Sequence, residues 1–238
     1  MGQGTHMSRL VSFSGIDGAG KSSQIDHLRA MFEQKGLQVS VIAFWDSIAT
    51  LKGFREAAGH SIFKGDRGVG SPTAPINRRD KNVRSFPMTL VRLVLYLLDG
   101  ISNRRAVKHA RRSGADLVIF DRYIYDELAN LNLKNPLIRL YVKVLLMMVP
   151  HPHIGFLLDA DPSEARARKP EYPLDFLVEN RNSYLDLARL SGLLTVVPAL
   201  SIDRVSAIIT EEARKLDSGS LGMQTTSSDY PVAIPTQP

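Results

Sequence analysis

The chain has no cysteine in its 238 residues. That excludes a disulfide framework, thiolate metal ligands and a cysteine nucleophile, and it fits a reducing, cytoplasmic compartment. Long apolar runs are also missing. The two greasiest stretches, Thr89–Leu98 and Leu137–Val149, are interrupted by Arg92 and by Arg139 and Lys143. Both are too short to span a bilayer, so no membrane partner is expected. No apolar signal core opens the chain, and Met1–Met7 (MGQGTHM) reads as a vector remnant with Met7 as the natural start. No repeat of solenoid length occurs. Charge of one sign is only mildly in excess, 30 Lys+Arg against 24 Asp+Glu, with an isoelectric point of about 9.6. Such a balance favours anionic ligands. No stripe of aromatic and basic residues accompanies it, so nucleic acid is not an expected partner.

What is present suits one ordinary domain. Hydrophobic residues make up 44%, enough to bury a core. Short apolar strands alternate with helical patterns: Leu10–Ser14, Gln38–Phe44, Asp116–Phe120, Ile154–Leu158 and Leu193–Val197 read as five strands. Helical patterns cover Ser22–Gln34, about Ser85 to Arg112, Pro136–Val149, Pro162–Lys169, Pro173–Leu190 and Ile202–Leu216. Continuous apolar strands alternating with helices predict an α/β fold, a five-stranded parallel sheet with helices on both faces. The domain is expected over 8–216. Residues His60–Arg84 lack periodicity and read as a long loop, near a ligand or poorly ordered. The stretch 217–238, rich in Ser, Thr, Gly and Pro, reads as a mobile tail.

The strongest chemical signal is Gly15-Ile-Asp-Gly-Ala-Gly-Lys-Ser22, which matches the phosphate-loop pattern in full and lies between a strand and a helix. Gly15, Gly18 and Gly20 let the backbone curl, with its N–H groups turned inward around a phosphate, and Ala19 and Ser23 complete the cradle. The helix that follows adds its positive end. Lys21 is expected at the β- and γ-phosphates of ATP, and Ser22 at Mg²⁺. Asp17, inside the loop, holds a hydrated Mg²⁺ or an arginine, or else forms a turn with its own backbone. Asp121 ends the strand DLVIF. Ligands of open parallel sheets bind beyond such carboxyl ends, so Asp121 is a candidate for Mg²⁺ or for accepting a proton. Its neighbour Arg122 is a candidate phosphate clamp. Tyr123 is either part of that site or packing.

Arg166, Arg168 and Lys169 precede a Pro-flanked turn. They read as a lid over about 166–175 that neutralises a transferred phosphoryl group, or as a solvated cationic helix end. Asp159 ends another strand and is a weaker candidate. Asp161 has the pattern of a helix N-cap, with proline next. Arg181 and Tyr184, three apart, face the same site or are surface and core. His151-Pro-His153 has too few ligands around it for a metal site.

These residues resemble the thymidylate kinase family of nucleoside monophosphate kinases. The resemblance runs from about Leu10 to Leu216 on GIDGAGKSSQIDHL, VIFDRYIYD, LLDADPSEARAR and LDFLVENRNSYLDLA. It implies a P-loop kinase fold with a lid, usually a homodimer, and transfer of the γ-phosphate of ATP to dTMP. It assigns the phosphate chemistry to Asp17, Lys21, Ser22, Asp121 and Arg122, with Arg168 the best lid arginine. Three departures fall on the acceptor side. The family's arginine-acid-proline stretch reads Phe44-Trp-Asp-Ser-Ile-Ala-Thr50, which keeps only Asp46 as an acid. The Asp-Arg pair of the long middle helix is Asp99-Gly100, with Arg104 and Arg105 one turn later. The small hydroxyl residues after the DRY motif are Asp126 and Glu127, which favours an acceptor with extra hydroxyls or an amine. Lys64, Arg67, Arg78, Arg79, Lys81 and Arg84 either replace the missing arginine or decorate a solvated loop. Trp45 and Phe86 are left as stacking or packing residues.

The expected activity is thus ATP- and Mg²⁺-dependent phosphoryl transfer to a nucleoside monophosphate. The rivals are a P-loop kinase of another small molecule and a nucleotide-binding protein with a decayed acceptor site. The greasy helix Leu137–Val149 needs burial and is a candidate homodimer contact.

Overall fold

The computed structural model describes residues 8–44 and 86–216, excluding the side chains of 86–92. The readings of Met1–Met7, Trp45, Asp46, the 60–84 stretch with its basic residues, the Phe86 side chain and the 217–238 tail lie outside the described residues.

Five strands form one all-parallel sheet: β1 (Arg9–Ser14), β2 (Val39–Ala43), β3 (Leu117–Asp121), β4 (Ile154–Leu158) and β5 (Thr195–Val197), in the order β2-β3-β1-β4-β5. The predicted α/β sheet is therefore observed. β1, β3 and β4 are buried along nearly their whole length because both faces are covered. Alternate residues feed two cores. Val11, Phe13, Leu117, Ile119, Phe156 and Leu158 point to the face closed by α1 (Lys21–Gln34) and by a C-terminal helix at Ile202–Lys215. Leu10, Val118, Phe120 and Leu157 point to the other. Phe13 and Phe156, 5.3 Å apart between ring centroids, fill the first core. Each such fully buried apolar side chain contributes about 1.5–3 kcal/mol.

The second face carries α2 (Phe86–Arg112), the short α3 (Ile124–Leu128), α4 (Pro136–Met148) and α6 (Leu174–Ser191), with α5 (Pro162–Arg168) before α6; the C-terminal helix is α7. Local chemistry sets several starts. Asn135 accepts a hydrogen bond from the Leu137 N–H at 2.9 Å, with Pro136 in the first turn of α4. Asp161 caps α5 by accepting from the N–H groups of Ser163 and Glu164, at 2.9 and 3.1 Å, as its sequence pattern predicts. The five-residue α3 has no counterpart in the periodicity reading, because one helical turn is too short to show a period.

The sheet order places the site. β1 and β3 are neighbours in register, Phe13 opposite Asp121. The loop leaving β1 and the Asp121-Arg122 turn leaving β3 therefore emerge side by side at the carboxyl edge, where ligands of such sheets bind.

Candidate active site

The glycine loop is built as its sequence demands. Gly18 has φ +83°, and a Cβ there would lie 2.2 Å from the carbonyl oxygen of Ala165 in α5. Gly15 has φ +138°, and its Cβ would lie 2.7 Å from the Leu158 carbonyl oxygen. Only glycine allows this left-handed backbone and this close approach to α5 and β4. Lys21, at the start of α1, is 7% exposed. Its ammonium donates to the carbonyl oxygens of Gly15 at 2.8 Å and Ile16 at 2.9 Å. Burial, and after it the charge of Arg122, pushes its pKa down to about 8, against the pull of Asp17, Asp126 and Asp121. An anionic phosphate arriving at the loop would favour the charged form. The donor set thus fits a polyphosphate. Ser22 and Ser23 are exposed in the first turn of α1.

Arg122 is the centre of the charge network. Its backbone is left-handed, φ +69°, and its N–H donates to the Phe13 carbonyl at 3.0 Å. Its Nη2 donates to Asp17 Oδ1 at 2.5 Å and its Nη1 to Asp126 Oδ1 at 3.2 Å. Burial opposes the guanidinium charge, but Asp126, Tyr184, Asp17 and Asp121 together outweigh it and raise the pKa. Lys169, in the turn after α5, stands 3.9 Å from the same Asp17 oxygen and 3.5 Å from Glu171. The loop carboxylate thus meets an arginine, one of the three roles its sequence position allowed.

The structure brings together Lys21, Asp17 and Arg122, with Asp121 close enough to act on the first and last of them electrostatically. Asp121 is half-buried at the end of β3. Its carboxylate and the Ser22 hydroxyl are oxygen donors of the kind a hard divalent cation takes. Arg168 is exposed and lines a cleft with Ala19, Asp159, Glu164 and Val197–Leu200, on the β5 side of the loop. Arg166 is half-buried in the last turn of α5. Asp159 is taken up by Arg181 in a two-pronged pair at 2.5 and 2.7 Å. Tyr123 is packing: it is fully buried, lies 5.3 Å from Phe120 ring to ring, and its hydroxyl donates to the Pro150 carbonyl. His153 is also structural, its Nδ1 accepting from the Leu10 N–H at 2.8 Å.

One acceptor-side expectation is corrected. Asp126 does not face an acceptor; it is 3% exposed, and its oxygens accept from Ser14, Tyr123, Tyr184 and Arg122. Glu127 is buried as well, at 2%. A carboxylate one turn after a positive-φ arginine folds back under it, and that signal was legible in Arg122-Tyr-Ile-Tyr-Asp126 only with the fold in hand. At Gly100, a Cβ would already meet Val149 at 3.1 Å and Leu145 at 3.2 Å. The position of the family's arginine is closed by α4, and Arg104 and Arg105 are exposed instead.

No family model matches the chain. Curated relatives do. It is 26% identical over 219 residues to a thymidylate kinase of Bifidobacterium longum, covering 87% of this chain and 98% of that one. It is 30% identical over 163 residues to a thymidylate kinase of Prochlorococcus marinus, covering 67% and 68%. A second Prochlorococcus marinus thymidylate kinase is 28% identical over 217 residues, covering 85% and 94%. The protein is accordingly a phosphotransferase, and it belongs to the thymidylate kinase family.

Proposed function

We propose that the protein transfers the γ-phosphoryl group of ATP to a nucleoside monophosphate, with dTMP the first candidate. The observation that carries this reading is the meeting of Lys21, Asp17 and Arg122 over a glycine loop at the carboxyl ends of β1 and β3. An ionised phosphate oxygen of the acceptor attacks the γ-phosphorus, and the bond to the β,γ-bridging oxygen breaks, releasing ADP. The backbone N–H groups of Gly15, Gly18, Ala19, Gly20, Ser22 and Ser23 cradle the donor phosphates. Lys21 leaves its loop carbonyls for the β- and γ-oxygens, so its charge is returned to an anion. Arg122 exchanges Asp17 for phosphate and holds donor and acceptor in line. Arg166 and Arg168 close from the lid at about 166–175 and balance the developing charge. Mg²⁺, held by Ser22 and Asp121 with Asp17 beside it, would neutralise the β- and γ-phosphate charge when bound.

The kinase domain is taken as 8–216. Among the described residues no helix is long and apolar enough to cross a membrane, and a cytoplasmic place suits nucleotide biosynthesis. A homodimer is part of the reading. On α4, Leu137, Leu140, Val144, Met147 and Met148 are 42–76% exposed, and Val94, Leu97 and Ile101 of α2 are exposed as well. A second copy is the occupant the family supplies for so large an apolar face.

The test is ADP release with ATP and Mg²⁺ across a panel of monophosphates led by dTMP and dUMP, with Lys21→Ala as blank. Turnover of dTMP that the blank lacks supports the reading. ATP binding without turnover of any monophosphate overturns it and redirects the search to other phosphate acceptors. Light scattering that reports only monomer at micromolar concentration would remove the dimer.

A further inference from the structure

Asp126 is a deeply enclosed charge at the site. Its side chain is 1% exposed. Oδ2 accepts from the Ser14 hydroxyl at 2.6 Å and from the Tyr123 N–H at 3.0 Å. Oδ1 accepts from the Tyr184 hydroxyl at 2.7 Å and from Arg122 Nη1 at 3.2 Å. A carboxylate offers about four acceptor positions, and these four donors fill them. They come from three separate places: the last residue of β1 before the glycine loop, the turn after β3, and the middle of α6.

Arg122 needs such support. Its φ of +69° is a region that a long side chain rarely adopts and that persists only where the surroundings over-determine it. The Phe13 carbonyl fixes its N–H, and Asp126 fixes its guanidinium from the buried side. Asp17, 17% exposed, meets the other terminal nitrogen, Nη2. Tyr184 holds the oxygen that receives Arg122; burial, and then the charge of Asp126, pushes its pKa well up, so it remains a donor.

We infer that Asp126 is a positioning residue for phosphoryl transfer: its carboxylate anchors the inner edge of the Arg122 guanidinium and leaves the outer edge to phosphate. Asp126 itself touches no substrate. The inference rests on the proposed kinase reaction. It also gives the Asp that stands where the family has a small hydroxyl residue a role in the interior rather than toward the acceptor.

The experiment is a double-mutant cycle on the full chain, with Asp126→Asn, Arg122→Ala and the pair, measuring kcat and KM for dTMP at saturating ATP. The same proteins are titrated with dTMP alone by calorimetry, and their urea midpoints are recorded. In the Arg122 background the Asn change is expected to cost less than about 3-fold, whereas in the parent it costs roughly 100-fold in kcat/KM, the scale of an angstrom-sized misplacement. Calorimetry should show weaker dTMP binding in Asp126→Asn alone. Equal losses in both backgrounds, or a fall in the urea midpoint with unchanged kcat/KM, would make Asp126 merely structural and overturn the inference. If Asp126→Asn does not fold, Tyr184→Phe removes one donor to the same oxygen and must show the same dependence on Arg122; independence there overturns it equally. A parent protein inactive on every monophosphate would sink the kinase reading itself, an outcome separate from an active parent with an indifferent Asp126.

Discussion

Lys21 stores a cost that should be readable as a pH dependence of stability. It is 7% exposed, and burial first, then Arg122, lowers its pKa from 10.5 to about 8. Below pH 8 the lysine is charged whether the chain is folded or not, and the folded state carries the full burden of a buried ammonium. Between about pH 8 and 10.5 the folded chain has given up that proton and the unfolded chain has not. The unfolded state then binds more protons, so stability rises with pH. At about 1.36 kcal/mol per unit, the gap from 8 to 10.5 is worth about 3 kcal/mol in all.

Four tyrosines act in the opposite sense. Burial raises Tyr123, Tyr125 and Tyr184, and raises Tyr141 to about 12. Above about pH 10 the unfolded chain loses those protons while the folded chain keeps them, so stability falls by up to about 5 kcal/mol per pH unit. The ligand-free protein should therefore be most stable at about pH 9.5, where the proton kept by unfolded Lys21 balances the first losses from the four tyrosines. Urea unfolding at steps from about pH 7 to about pH 11 measures this directly. Lys21→Met removes the rising limb and leaves the falling one. The Gly15 and Ile16 carbonyls lose their donor in that variant, at about 1–3 kcal/mol, but at every pH, so the slope stays diagnostic. Saturating ATP should also flatten the rise, because phosphate keeps the ammonium protonated. Parallel curves for the parent and Lys21→Met would refute the account of Lys21 as a buried, strained charge.

Gly18→Ala should lose ATP binding and about 3 kcal/mol of stability, from the left-handed backbone and from a Cβ set 2.2 Å from the Ala165 oxygen; calorimetry with ATP and a urea melt check it, and near-parent values would show that the loop and α5 are not in contact. Gly100→Arg, which restores the residue type of the family, should destabilise by at least about 2 kcal/mol rather than improve dTMP affinity, since Val149 and Leu145 occupy the space. A stable variant with a lower KM for dTMP would place α4 elsewhere.

Most of the fold was legible because its determinants are local or periodic. LVSFS, DLVIF and IGFLL are mostly apolar with no polar-outward alternation, and that is what a strand covered on both faces requires. The glycine loop was legible for a different reason: each glycine answers to a backbone constraint, and a pattern of such constraints has few other uses. Charge partners were not legible. Asp126 and Tyr184 lie 58 residues apart and Ser14 and Asp126 lie 112 apart, and nothing periodic connects them. Asp126 therefore read as an acidic residue available to a substrate. Asp159 and its partner Arg181 are also unconnected by any period, 22 residues apart with the whole of α5 between them. Residue type announces that a charge exists; only the packing tells whether it is already spent.

That distinction separates the two carboxylates on Arg122. Asp126 has a side chain 1% exposed and three further donors, whereas Asp17 is 17% exposed at the mouth of the loop. A phosphate approaching the arginine competes with both. Displacing Asp126 would leave a buried charge unpaired, at several kcal/mol, while displacing Asp17 returns a carboxylate to water or to a cation. Asp17 is the partner that yields. The same chemical change should therefore act in opposite directions on one arginine: Asp17→Asn should tighten dTMP binding measured without Mg²⁺, because the competitor for Arg122 has lost its charge, and Asp126→Asn should weaken it, because the guanidinium has lost its anchor. About 1–3 kcal/mol either way is the range for a charge-assisted hydrogen bond gained or lost. Changes of the same sign in the two variants would mean that Arg122 is not shared between them in the way the geometry implies.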